Sequence, residues 1–283
     1  MENIIFSAFS DEYAKDFEEQ LTAMEQFGIR HIELRFIDGE NVSALSDEKR
    51  LAVKAALDRH SIGVSAIGSP LGKIRLDEDM NAHLKTARRV FETAKLVGAK
   101  YIRVFSFYPP EGKEITEMKD EVLSALSRLL ALAREYNVVL CHENEAKIFG
   151  DIPERVRLLL DHFEGELKCV FDMGNYVLEG VEPLAAYELL KKDIAYFHIK
   201  DSLYAGAIVP PGCGEAKIGE ILSLHKEYAR QAFFVSLEPH LECFSGLNAL
   251  VGRTFENPYK YENEKAAFTD AVLKFKELMH ESV

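Results

Sequence analysis

Four side chains of metal-ligand type close four successive apolar runs. Residues 137–145, NVVLCHENE, stay apolar for a strand's length and end on His142, Glu143, Asn144 and Glu145. VFDMGN then carries Asp172, YFHIKD carries His198, and FVSLEPH carries Glu238. One strand–helix unit accounts for each of the first two steps, and the third step also holds a long loop. If the runs are parallel staves of a barrel, side chains at their carboxyl ends point over one axis and meet on one side of its mouth. Three carboxylates and an imidazole form a hard, oxygen-rich set. That set suits Mn²⁺ or Mg²⁺, with Zn²⁺ or Co²⁺ compatible, and leaves coordination positions for a substrate. Without a cation, three such charges would repel strongly.

Each residue alone has an ordinary explanation. Glu143 reads equally as an ion-paired strand end, Asp172 as a turn opener, His198 as a satisfied core histidine, and Glu238 as an edge charge. The signal is that four consecutive strands end alike. On a hydroxy-carbonyl substrate such a centre could abstract the proton next to the carbonyl. A dication chelated by a carbonyl and its neighbouring hydroxyl polarises the carbonyl and stabilises an enediolate. One carboxylate takes the α proton and another can return it from the opposite face. With one active base the outcome is isomerisation, or elimination of a β-hydroxyl.

The elements that must position these groups alternate from end to end. Strand-like runs fall at 4–9, 31–36, 62–67, 100–106, 137–145, 167–173, 194–200 and 233–238. Between them lie helix-period segments. Phe17, Leu21, Met24 and Phe27 form one stripe, stopped by Gly28. Leu84, Ala87, Val90, Phe91, Ala94 and Val97 form another, with Gly98 as an αL cap. Further helices are expected at 47–60, 183–192, 218–230 and 264–279, and around Val122 to Ala133. One more begins at Asp151, the expected cap of a box with Glu154 three residues on.

Strands separated by helices run parallel, and eight such units close into a (β/α)₈ TIM barrel. A doubly wound open sheet is the alternative, but no strand–helix turn carries a GxGxxG or GxxxxGK[ST] motif. No Gly/Ser-rich or Pro-rich linker divides the chain, so a single domain over 1–283 is expected. Two loops, 202–216 and 240–263, are long enough to be either functional or disordered, and both follow strand carboxyl ends.

With 34 basic and 47 acidic residues the net charge is −13. That balance argues against nucleic acid or an anionic membrane as the main partner. The opening MENIIFSAFSDEYAKD lacks a signal peptide's basic and apolar regions, and no run reaches the ~18 apolar residues of a spanning helix. Cys141, Cys169, Cys213 and Cys243 include no CxxC pair, and Cys141 and Cys169 sit in apolar runs. Reduced thiols in a cytoplasmic protein are the expectation.

CHENE (141–145), FDMGN (171–175), FHIKD (197–201), PPGCGEAKIGEIL (210–222) and SLEPHL (236–241), with a weaker echo in GIRHIELR (28–35), resemble one known group. This is the xylose-isomerase-like sugar isomerase/epimerase superfamily, which includes ketose 3-epimerases and inosose dehydratases. The resemblance implies a barrel that binds one divalent metal through Glu143, Asp172, His198 and Glu238. It also implies Glu143 and Glu238 as the acid/base pair on a sugar, sugar phosphate or related polyol ketone. A lyase of the inosose-dehydratase type would use the same centre, and a sugar-binding barrel without turnover is a third outcome. The superfamily's abasic-site endonucleases hold several zinc ions through extra histidines. Here only His198, with His142 and His240 nearby, is available. By analogy with relatives a homo-oligomer is also open.

The family's Asp-x-x-His motif reads Asp-Met-Gly-Asn here. Asn175 can hydrogen-bond a hydroxyl but cannot shuttle a proton. Lys200 is a candidate contact to a substrate oxygen or a carboxylate, and Asp201 either joins it or forms a structural pair with it. Glu145 either faces the way of Glu143 or caps its loop. Ser69 and Arg35 end strands and serve either substrate or structure. His240 and Arg253 lie on the last long loop, where a phosphate or carboxylate could meet them. His142 points away from Glu143 in a regular strand.

Overall fold

The computed structural model describes residues 3–241 and 257–281. Eight strands carry the architecture: β1 (Ile4–Ala8), β2 (His31–Leu34), β3 (Gly63–Ile67), β4 (Tyr101–Val104), β5 (Val139–Glu143), β6 (Leu167–Asp172), β7 (Ile194–Ile199) and β8 (Phe233–Leu237). Seven parallel ladders join them in the order β1-β8-β7-β6-β5-β4-β3-β2. β1 lies against β2 without a ladder, so the sheet curls into a nearly closed TIM barrel. The helices are α1 (Phe17–Gln26), α2 (Asp47–His60), α3 (Met80–Val97), α4 (Lys119–Tyr136), α5 (Pro153–His162), α6 (Met173–Leu178), α7 (Pro183–Leu190), α8 (Ile218–Tyr228) and α9 (Glu264–Glu281). Every gap between consecutive barrel strands contains at least one of them.

Local chemistry explains several of the boundaries. Asp16, Ser46 and Asp79 each accept a backbone N–H of the first turn and start α1, α2 and α3. Gly98 at φ 77° and Asn137 at φ 55° end α3 and α4 in the left-handed region. The core between helices and sheet takes the outward alternate residues of the strands, such as Ile32, Leu34, Ile102, Val104, Phe171 and Phe197. The other alternates point inside the barrel. Cys141, Val170 and Tyr196 pack there in a small apolar cluster, with Tyr101 and Phe234 against it. Two residues further along the same faces come Glu143, Asp172, His198 and Arg103. The interior is therefore apolar below and ionic at the mouth.

Two expectations need correction, and two elements go beyond what the sequence indicates. The second strand stops at Leu34, because Asp38 (φ 53°) and Gly39 (φ 80°) fold Phe36–Ile37 back on Glu40–Asn41 as a separate hairpin. Asp151 does not cap α5: Ile152 is the cap residue, Pro153 follows it, and Asp151 pairs with Arg155. The additional helix α6 starts directly at Asp172, whose Oδ1 accepts from Asn175 N at 2.8 Å. The 202–216 loop is a small hairpin of Asp201–Ser202 with Ile208–Val209. Cys141, Cys169 and Cys213 are unbridged, and Cys141 and Cys169 are buried. Arg253, Cys243 and most of the last long loop lie outside the described residues. Among the described residues, no helix is long and apolar enough to cross a membrane.

Candidate metal centre

Parallel register brings the four strand ends together. Asp172 on β6 stands opposite His198 on β7, Ser236 on β8 is also opposite His198, and Glu238 continues that ladder by donating its N–H to Ile199 O. Glu143 closes β5 on the other side of Asp172. One ligand atom from each of Glu143, Asp172, His198 and Glu238 lies within 4.8 Å of all the others. All four residues are buried, at 1%, 0%, 0% and 2% exposure. His198 Nδ1 is 2.8 Å from Glu143 Oε1 and 3.3 Å from Glu238 Oε2. Donors bound about 2.1 Å from one octahedral ion sit roughly 3 Å apart, so these spacings fit a shared cation.

Glu143 Oε2 adds a further indication. It is buried and within 3.2 Å of Arg103 Nη1, yet it has no aligned hydrogen-bond donor. A buried carboxylate oxygen without a donor suits a cation better than a proton donor. The residues present therefore fit a divalent ion of the oxygen-preferring kind.

Around the quartet stand Glu33 and Arg103, which the sequence pattern does not mark as functional, and Arg35, which it does. Glu33, on the inner face of β2, receives His198 Nε2–H at 3.0 Å and the Tyr196 hydroxyl at 3.0 Å. It fixes the imidazole so that Nδ1 faces the other three donors, the usual arrangement behind a ligating histidine. Arg103, on β4, reaches Glu143 Oε2 at 3.2 Å and Glu238 Oε1 at 3.3 Å. Arg35, just past β2, holds Glu238 Oε1 at 2.9 Å together with Asp11 and Glu12. Phe9 lies beneath both guanidiniums, 4.3 Å from that of Arg35 and 5.1 Å from that of Arg103. The alternation in HIEL and YIRV was the available signal, since each puts one charged residue opposite two apolar ones.

These contacts set the protonation states. Burial opposes charge on Glu143, but His198 and Arg103 outweigh it and hold its pKa at about 2. Burial likewise opposes charge on Glu238, and Lys200, His240 and His198 keep it well below the ordinary carboxylate value. Burial dominates at Asp172 and raises it to about 6 despite Lys200. His198 is raised well above an ordinary imidazole, because Glu143, Glu33 and Glu238 outweigh its burial.

Among the proposed contact residues, Lys200 and Asn175 adjoin the quartet. Lys200 Nζ donates to Asp172, Asn175 and Glu238, and Asn175 Nδ2 donates to Asn144 O. The alternative Lys200–Asp201 pair is not formed. Asp201 turns both oxygens to the backbone N–H groups of Ser202, Gly212, Gly214 and Ala216. Glu145 pairs with Lys73 at 2.9 Å. Ser69 donates to Arg103 O at 2.5 Å and accepts from Leu71 N at 3.3 Å. His240 sits at the rim, 3.1 Å from Glu12 and 3.5 Å from Glu238. His142 faces the other way, with Nε2 2.9 Å from Ser106 Oγ, and burial lowers its pKa to about 4.

A family profile described as "Xylose isomerase-like TIM barrel" matches residues 21–256. The IolI protein, solved with a bound zinc atom, superposes with a TM-score of 0.76 at 16% identity, covering 99% of both chains. D-psicose 3-epimerase from Clostridium cellulolyticum, solved with D-tagatose, gives 0.73 at 13% identity over 98% of both chains. The probable 3-DHS dehydratase AsbF from Bacillus anthracis gives 0.68 at 18% identity, covering 83% of this chain and 92% of its own. No curated protein matches the chain in sequence. At such identities the structural likeness establishes the fold alone.

Proposed function

This chain belongs to the xylose isomerase-like TIM-barrel family, and from that membership we propose a divalent-metal-dependent isomerase or epimerase of a sugar, sugar phosphate or related polyol ketone. The observation that carries the proposal is the convergence of Glu143, Asp172, His198 and Glu238 within 4.8 Å at the ends of consecutive staves. These four hold the ion, with Mn²⁺ or Mg²⁺ the best match and Zn²⁺ or Co²⁺ compatible. When bound, the ion supplies Lewis-acid polarisation of a carbonyl and its neighbouring hydroxyl.

The chain's own groups do the rest. Glu143 takes the α proton on a carboxylate oxygen that the ion leaves free. Glu238 faces it across the centre as the group that returns a proton in an epimerisation. Arg103 touches both carboxylates and holds them at a fixed separation. Glu33 keeps His198 aimed at the ion. Lys200 and Asn175 are the polar groups beside the quartet placed to meet substrate oxygens.

One feature favours a second reading. Glu238 is approached by nitrogens of Arg35, Arg103, Lys200, His198 and His240, all within 3.5 Å, whereas Glu143 is approached, among the described residues, only by His198 and Arg103 and its Oε2 has no aligned donor. That asymmetry suits single-base chemistry, either isomerisation or loss of water from a β-hydroxy ketone as in a lyase of the inosose-dehydratase type. A panel of ketoses, ketose phosphates and inososes, incubated in D₂O with each divalent ion and read by mass spectrometry, tests both readings. Deuterium should enter at the carbon α to the carbonyl, and Glu143→Gln should abolish it. Loss of water selects the lyase. Tight sugar binding without exchange or product contradicts an enzymatic role.

A further inference from the structure

Lys200 enters the quartet from just beyond β7. Its Nζ donates to Asp172 Oδ2 at 2.9 Å, to Asn175 Oδ1 at 3.2 Å and to Glu238 Oε2 at 3.3 Å. Two of those three oxygens belong to the candidate ligand set. Neither carboxylate has an uncommitted second oxygen. Asp172 Oδ1 caps α6 through Asn175 N, and Glu238 Oε1 is held by Arg35 at 2.9 Å and Arg103 at 3.3 Å. An ion at the quartet therefore draws on the same two oxygens as the ammonium.

The ammonium has little room to withdraw. Lys200 is 3% exposed. Its stem lies against Gly174, where an added Cβ would stand 2.8 Å from Lys200 Cγ and 2.7 Å from its carbonyl oxygen. Asn175 Oδ1 is the neutral acceptor that lets Lys200 keep a hydrogen bond while the carboxylates serve another cation. A fixed positive charge a few ångströms from a dication weakens it, and burial reduces the screening that would mask this.

We infer that Lys200 is a resident competitor for the metal centre: by sharing Asp172 Oδ2 and Glu238 Oε2 with the ion, it sets the ion's affinity and keeps it exchangeable. This rests on the reading that the quartet binds a divalent ion.

The test compares metal-stripped wild type with Lys200→Met, which keeps the length and apolar packing of the stem and deletes the charge. In calorimetric titration with Mn²⁺, Lys200→Met should bind about tenfold more tightly, or better. The rise in Tm on saturating with Mn²⁺ should also be larger in the variant. Removing the ammonium takes from Asp172 its paired cation and from Glu238 one of several, and the ion then restores that balance. If the variant does not fold metal-free, Lys200→Gln retains a hydrogen-bonding terminus and permits the same comparison. Equal or weaker binding by the neutral variant, with one ion bound by wild type, overturns the inference and leaves the ligand assignment standing. Wild type that binds none of Mn²⁺, Mg²⁺, Zn²⁺ or Co²⁺ removes the ligand assignment, and the inference with it.

Discussion

The imidazole of His198 is fixed at both nitrogens, and the one turned away from the quartet belongs to Glu33. A carboxylate in that position orients the ring and raises its strength as a ligand, so its loss should be felt at the ion rather than in the fold. Glu33→Gln keeps the size and a hydrogen bond. It should lower Mn²⁺ affinity about 10–100-fold, measured by titration, with little change in unfolding midpoint. Unchanged affinity would contradict the role given to Glu33. At this scale the sequence revealed the ligand-type residues because each ends an apolar run. It did not reveal Arg103 or Glu33 as partners. Their alternation with Ile102 and Ile32 is visible, but which strand face becomes the inside depends on barrel closure. The reach of Arg103 to Glu238 crosses 135 positions of chain.

At the scale of elements, the loop after β7 depends on one side chain. Asp201 draws in four backbone N–H groups from both arms of the 202–216 hairpin. Gly214 has to be glycine there, since a Cβ would lie 2.2 Å from Asp201 Oδ1. The placement of Asp201 makes it an organiser of the loop beside Lys200. Asp201→Asn substitutes an amide donor for an acceptor among donors, and should cost about 2 kcal/mol in urea unfolding, since buried donors lose their partner. A change under about 0.5 kcal/mol, typical of an unconstrained surface site, would contradict that role.

Helix starts and stops were largely legible, because Ser46 and Gly98 act through contacts within a few residues. Asp151 misled, because Arg155 four residues on competes for its carboxylate. The hairpin at 202–216 was not legible, because a side chain outside its own turn holds it together.

Over the whole molecule, the alternating pattern specified a nearly closed parallel sheet, and the sheet makes a site from residues far apart in sequence. What the sequence could not supply is the balance of charge at the mouth. Glu33, Glu143, Asp172 and Glu238 meet Arg35, Arg103 and Lys200 there, a local compensation inside a chain of net charge −13. The carboxylates are therefore not left bare in the absence of an ion, contrary to the simple repulsion expected of three acids and a histidine. The centre remains suited to a dication because Glu143 Oε1 and His198 Nδ1 lie 2.8 Å apart, a ligand-like spacing, and Glu143 Oε2 has no aligned donor. The most direct measurement is an anomalous difference map from crystals soaked in Mn²⁺. A single strong peak in contact with Glu143, Asp172, His198 and Glu238 is expected. Bound manganese elsewhere, with no peak among those four donors, would contradict the metal centre.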